Sequence, residues 1–279
     1  FEVSQAGSLG LEDPSGHAGL EVFLLRVTTR ASDGGQRTAV VQVPLSFRQA
    51  PAAGMERALV GQAAGMDPSR TWVYDAVHDP DFVGGWLELM RQEEKAPSGT
   101  AAGFRVSAEQ RLPTSRGVVK VLSGEQSNSS VIVDDGESAA IVKFFRVLSH
   151  GTNPEVEVGA ALTAAGTSEV PATLGWVRGE WLSENGAEPN ESAAAQAGPR
   201  FVQGELAVAH EFLAGGRDAW RLAVDAARSG TDFTAEAHAL GEATATVHQR
   251  LAQALGQAVE PKPGQLIAPA VAQRVRQAW

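Results

Sequence analysis

The sequence predicts an α+β fold, β-rich over its first fifty residues, mixed through the middle and helical toward the end. Three observations carry this. Glu21–Thr28 and Thr38–Leu45 read as two strands joined by Ser32-Asp-Gly-Gly35, a turn suited to positive φ. A second hairpin follows a polar loop: Gly124-Glu-Gln-Ser-Asn-Ser-Ser-Val-Ile-Val133, an Asp-Asp-Gly turn, then Ile141-Val-Lys-Phe-Phe-Arg146. After Gly215, apolar residues recur at helical spacing over Asp218–Arg228 and Phe233–Leu255.

Between these landmarks the elements follow in order. Pro44 falls near the end of the second strand, where a missing donor is tolerated. Ala53–Gln62 and Asp79–Arg91 carry helical periodicity, with a short strand, Arg70–Asp75, between them. Glu94–Gly103 is polar and bears Gly and Pro, and so reads as a domain boundary. Strands are predicted at Gly117–Leu122, Ser130–Val133 and Ala139–Phe145. A helix starts after Asn153, a good N-cap, with Pro154 at its first position, and stops at Gly166. Further strands fall at Thr173–Arg178 and Glu205–Phe212, flanking the low-complexity stretch Ser183–Arg200, expected to be a mobile loop.

At 279 residues the chain can bury two cores. It has no cysteine, which excludes disulfides and thiolate metal sites. A net charge of −10 argues against nucleic acid or a membrane surface as partner. There is no apolar run of membrane-spanning length, and the first residues do not form a signal peptide. The expectation is a cytoplasmic enzyme or enzyme fragment; the missing initiator Met suggests a start inside a longer chain.

Lys143 is the first residue that could carry chemistry. Set among Ile141, Val142, Phe144 and Phe145, it must reach solvent, a partner or a ligand, because burying it unpaired is costly. On its own it could snorkel from an edge strand. The preceding small and polar residues, Gln126, Ser127, Asn128, Ser129 and Ser130 among them, can turn backbone donors toward an anion. Kinase-like folds combine such a loop with such a lysine to hold a nucleoside triphosphate, and a glutamate on the next helix steadies the lysine. Glu155 and Glu157 both occupy the first turns of that helix, and spacing does not choose between them. The strand end around Glu211 and Leu213, followed by Ala-Gly-Gly-Arg217, fits a hinge whose backbone could read a nucleobase edge. His78-Asp-Pro80 and His248-Gln-Arg250 only superficially look like catalytic loops. The first precedes the nucleotide loop and the second lies in a helical pattern, so both are read as structural. No catalytic residue and no metal site is expected within the chain, since His238 and His248 lack the spacing of a helical metal pair. The six scattered tryptophans read as core or interface residues rather than a sugar platform, with Trp220 standing near the hinge.

The chain resembles the actinobacterial maltokinases. The matching pieces are Val41-Gln-Val-Pro-Leu-Ser-Phe-Arg48, Trp72-Val-Tyr-Asp-Ala-Val-His-Asp-Pro80, the Gly124–Ile132 loop, Ile141–Arg146, Asn153–Val158 and Glu211–Trp220. The resemblance implies an aminoglycoside-phosphotransferase type of eukaryotic-protein-kinase-like fold. Residues 1–95 would be an N-terminal cap, 104–205 the kinase N-lobe, and 206–279 the hinge and first helices of an incomplete C-lobe. It implies ATP, with Mg²⁺ ligands beyond residue 279, and maltose as substrate, giving maltose 1-phosphate for α-glucan synthesis. It assigns Lys143 to the phosphates, favours Glu157 over Glu155 as its partner, and places the catalytic base past Trp279. Negligible phosphotransfer is therefore expected of this chain alone, which reads as an N-terminal portion. Glucosamine or another sugar is the alternative substrate on the same scaffold. A non-catalytic pseudokinase or scaffold, associated with a maltose-producing trehalose synthase, is the alternative of a different class.

Overall fold

The computed structural model describes residues 1–12, 18–30, 34–63, 72–114, 117–122, 127–183 and 200–256. Two antiparallel sheets and four α-helices make up the described chain. The first sheet contains β1 (Glu2–Leu11), β2 (Ala18–Arg30), β3 (Gln36–Arg48), β4 (Leu59–Gln62) and β5 (Trp72–Asp75), in the order β1-β2-β3-β5-β4. The second contains β6 (Ala101–Arg105), β7 (Val118–Val121), β8 (Asn128–Asp134), β9 (Ala139–Phe145), β11 (Thr173–Leu182) and β12 (Phe201–Glu211). Its order is β6-β11-β12-β9-β8-β7. A two-residue strand, β10 (Val147–Leu148), leaves the second sheet and pairs with β3, so the chain itself links the two.

The β2–β3 hairpin forms as the sequence predicts, and Gly34 beside its turn takes φ +83°, open to glycine at little cost. Both strands run further than the pattern suggests. Pro44 is consequently internal to β3, between the stretches that pair with β10 and with β5. Glu2–Leu11 adds a strand that composition alone did not delimit; its Gly7 and Gly10 weaken β propensity, and Ala6, Leu9 and Leu11 anchor it by burial.

Helix α1 (Pro80–Gln92) matches its predicted span, capped by Asp79, whose side chain accepts from the Asp81 N–H. The Asp79 carboxylate is fully buried and is therefore paired: Arg48 donates to it at 2.6 and 3.0 Å and to Asp81 at 2.8 Å. The apolar face of α1 packs against β6, β11 and β1. At its centre Phe82, Trp86 and Phe144 form a ring cluster with centroids 5.5–5.7 Å apart. One apolar core runs without interruption from Ala6 of the first sheet to Ala209 of the second.

Two expectations change here. Ala53–Gln62 is not a helix: Glu56–Ala58 makes a single 3-10 turn and Leu59–Gln62 becomes β4. A ten-residue helix is marginal by itself. Burial of Met55 and Ala58 against Tyr74 needs only one turn, while β5 offers β4 a pairing partner. Glu94–Gly103 is likewise folded rather than a free linker. Lys95 bridges Ala102, and Gly103 lies within β6, where a Cβ would sit 2.0 Å from the Leu89 carbonyl oxygen. The remaining helices, α2 (Pro154–Ala164), α3 (Ala219–Ser229) and α4 (Thr234–Leu255), fall close to prediction. Residues 184–199, most of the expected mobile loop, lie outside the described residues. No helix among the described residues is long and apolar enough to cross a membrane.

A shared core has a measurable consequence. Phe144→Ala removes a ring from the cluster joining α1 to the second sheet and should cost about 3–5 kcal/mol. In urea, tryptophan fluorescence and far-UV circular dichroism should report one coincident transition at lower midpoint. A separate transition for the first ninety-five residues would contradict the shared core.

Candidate functional site

Strand β9 has two faces. Ala140, Val142 and Phe144 are completely buried toward α1, so period-two alternation turns Ile141 and Lys143 to the opposite face. Helix α2 lies on that face. Its N-cap Asn153 accepts from the Glu155 N–H at 2.9 Å, and Pro154 occupies the first helical position. Lys143 Nζ donates to Glu155 Oε1 at 2.8 Å, with both side chains partly exposed.

The favoured partner, Glu157, is thereby corrected to Glu155. Two residues along a helix turn the side chain by about 200°, and Glu157 points to solvent. The sheet-facing stripe is Glu155, Gly159 and Thr163, spaced four apart. At Gly159 a Cβ would fall 2.3 Å from Thr173 Oγ1, so the missing side chain permits the close approach. Thr163 Oγ1 accepts from the Thr173 N–H at 2.8 Å.

The start of α2 is also tied to β12. A bulge opposite Val177/Arg178 re-aims Glu205 onto the helix side of the sheet. Its buried carboxylate accepts from the Asn153 N–H at 2.7 Å and from Arg178 at 2.6 and 3.1 Å. Arg178 in turn lies 5.6 Å from the centre of Phe104, which stacks on Trp176.

Beside the Lys143–Glu155 pair opens a cavity of about 530 Å³, walled by Ile141, Val158, Leu162, Pro171, His210 and Glu211. His210 is a side chain of the candidate site that sequence reasoning did not single out. Its Nε2 lies 3.4 Å from Glu155 Oε1 and its Nδ1 lies 3.1 Å from Thr173 Oγ1. A single histidine at a strand end gives no sequence signal. The Glu155 carboxyl is held down to about 2 by His210 first and then by Lys143, against the penalty of partial burial. The cavity is open and mainly apolar, with Glu155 and Glu211 in its lining and the Lys143 ammonium one contact beyond Glu155, so a flat apolar body can lie in it with an anionic end directed past Glu155 to the lysine.

The predicted loop residues divide. Gly124 and Gln126 lie outside the described residues. Asn128, Ser129 and Ser130 belong to β8, paired with Phe145, Phe144 and Lys143. Ser130 is buried across from the lysine, whereas Ser129 turns to the other face, where its hydroxyl accepts from Arg146 Nε at 2.9 Å. The Arg146 N–H donates to the Ser127 carbonyl at 3.1 Å. Arg146 also forks onto Asp75 of β5 at 2.7 and 2.9 Å, a contact across 71 positions of sequence. Glu211 ends β12, its N–H donating to the Ala172 carbonyl, and Leu213 follows exposed. Trp220 is 76% exposed on α3. His78 sits in a 3-10 turn, and His238 and His248 lie on α4. No cluster of three or more metal-binding side chains occurs among the described residues.

Comparison with known proteins adds two findings. Residues 1–79 match the family model of the maltokinase N-terminal cap domain. Among solved structures the chain is similar to a glucosamine kinase in its crystal form B. Identity is 21% and the TM-score 0.47, over 91% of this chain and 46% of that one. The chain thus spans less than half the length of that kinase.

The Asp75–Arg146 fork braces the Ser127–Ser129 stretch from the first sheet. Asp75→Ala should cost about 1 kcal/mol or less in overall stability, yet it should speed amide hydrogen exchange at Ser127–Ser130 several-fold. Unchanged exchange there would show that the fork supports nothing beyond itself.

Proposed function

We propose that the chain is the nucleotide-binding portion of an ATP-dependent sugar kinase of the maltokinase type, whose whole protein converts maltose to maltose 1-phosphate. The observation that carries this reading is the Lys143–Glu155 pair, strand lysine on helix carboxylate, at the edge of a cavity bounded by the strand end at Glu211. The match of residues 1–79 to the maltokinase cap supports the sugar-kinase class and maltose within it.

In this reading Glu155 aims Lys143 at the α- and β-phosphates of ATP. The expected phosphate loop, Gln126, Ser127, Asn128, Ser129 and Ser130, is narrowed in this reading. Gln126 lies outside the described residues and Asn128–Ser130 are committed to the β8–β9 ladder beside Lys143, so Ser127, just ahead of β8, is the described residue left to offer a loop donor. The adenine lies against Ile141, with its polar edge toward the backbone of Glu211 and Leu213. Helix α2 is an independent contribution: because Asn153 and Glu205 fix its first turn, the carboxylate is placed before a ligand arrives, which lowers the ordering cost of binding. Glu157 has no part in the pair. The Mg²⁺ ligands are assigned, in this reading, to the rest of the kinase. The general base and sugar contacts are assigned to the rest of the kinase, so this chain alone binds nucleotide without phosphotransfer. A cytoplasmic location and a maltose-producing trehalose synthase as binding partner belong to the same proposal.

Calorimetric titration of ATP into the chain tests it. Lys143→Ala should weaken ATP binding by at least about tenfold, the loss of one charge-assisted phosphate contact. The kinase made from its complete gene should release ADP with maltose and not with glucosamine. Equal ATP affinity of both forms would overturn the nucleotide site; turnover on glucosamine alone would overturn maltose.

A further inference from the structure

We propose that His210 is a positioning residue that holds the Glu155 carboxylate on Lys143, as the middle of a relay running Thr173–His210–Glu155–Lys143. The consequence for nucleotide binding rests on the function proposed above; the relay itself does not.

The geometry assigns the direction of each bond. Glu155 Oε1 is shared by Lys143 Nζ at 2.8 Å and His210 Nε2 at 3.4 Å. The histidine approach is a long ion-pair contact rather than a formed hydrogen bond, and since a carboxylate oxygen only accepts, it is favourable when the facing nitrogen bears the proton. In the neutral ring, Nδ1 is then the acceptor, and Thr173 Oγ1 at 3.1 Å supplies its hydrogen. In the protonated ring, both nitrogens donate and the hydroxyl reverses. In both of these states the proton lies toward Glu155, whereas the opposite neutral tautomer would set a lone pair against the carboxylate.

The surroundings hold this arrangement in place. Thr173 is anchored to α2 through its own N–H on Thr163 Oγ1, and His210 pairs with Thr173 across the β11–β12 ladder. Gly159 lies between Glu155 and Thr163 on the same helix stripe. A Cβ there would meet Thr173 Oγ1 at 2.3 Å and His210 Cε1 at 3.5 Å. A glycine inside a helix weakens it, and here it is what lets helix and relay touch. The charged groups around the ring are Glu155, Lys143 beyond it, and Glu211, which is exposed at the strand end. The depressed titration of Glu155, with His210 as its first cause, agrees with the geometry.

The test uses chain labelled with ¹³C at the glutamate carboxyl carbons, observed near pH 4, below the ordinary glutamate value of 4.5. In the unsubstituted chain Glu155 should remain ionised. His210→Phe keeps a ring of similar size without the donor and should leave Glu155 partly protonated. His210→Gln restores an N–H and should return it to the ionised form. Thr173→Val, a milder change outside the pair, should move Glu155 in the same direction as the phenylalanine variant. An unaltered Glu155 signal in His210→Phe, or equal protonation in the Phe and Gln variants, overturns the relay. In a second arm, His210→Phe should weaken ATP at least about threefold more than it weakens adenosine, because His210 also lines the cavity but only the phosphates meet Lys143. Equal loss for both ligands marks a general packing defect and overturns the positioning role. Absence of ATP binding by the unsubstituted chain overturns the nucleotide reading instead, and the carboxyl signal still decides the relay.

Discussion

The alternation of strand Ala139–Phe145 is the constraint on which the rest of the molecule depends. Three of its side chains, Ala140, Val142 and Phe144, are fully buried against the core shared with α1. A slip of one residue would drive Lys143 into that core and expose Phe144, so burial on one face fixes the lysine on the other. The register is held from both sides, by Ser130 on β8 and Val208 on β12. The lysine is therefore positioned by its apolar neighbours, and Glu155 and α2 are docked onto a place already chosen.

Helix α1 and the first sheet meet this strand through different chemistry. On the core side the contact is aromatic and non-directional: Phe82, Trp86 and Phe144. At the strand's end it becomes polar and directional. Gln42, buried in β3, donates its side-chain amide to the carbonyls of Phe145 and Leu206, and its backbone N–H to that of Arg146. A buried amide requires such partners, and here they belong to the second sheet. The first seventy-nine residues are thus part of the framework that sets the candidate site, as Asp75 on Arg146 illustrates from another strand.

How much of this was legible in the sequence follows from the range of each signal. Local signals read well. Asn153-Pro154 announced α2, Asp79-Pro80 announced α1, and the glycine turn at Gly34-Gly35 announced the β2–β3 hairpin. Lys143 stood out because a charge among Ile141, Val142, Phe144 and Phe145 needs a reason. What failed was decided by tertiary contact. Leu59–Gln62 has helical spacing but became a strand once β5 was beside it. The choice of Glu155 over Glu157 depends on which side of α2 meets the sheet, and Gly159 and Thr163 settle that only when Thr173 is in view. Arg146–Asp75, Arg178–Glu205 and His210–Glu155 join residues far apart in sequence, each an unremarkable residue type for its element.

The account's central claim is that Lys143, fixed by Glu155, meets the phosphates of a nucleotide whose base enters the cavity beside Ile141 and Glu211. A crystal structure of the chain with a non-hydrolysable ATP analogue tests it most directly. The account predicts a phosphate oxygen within hydrogen-bond distance of Lys143 Nζ, the Lys143–Glu155 contact retained, and the adenine against Ile141. A nucleotide bound elsewhere, or a lysine that leaves both Glu155 and the phosphates, would contradict it.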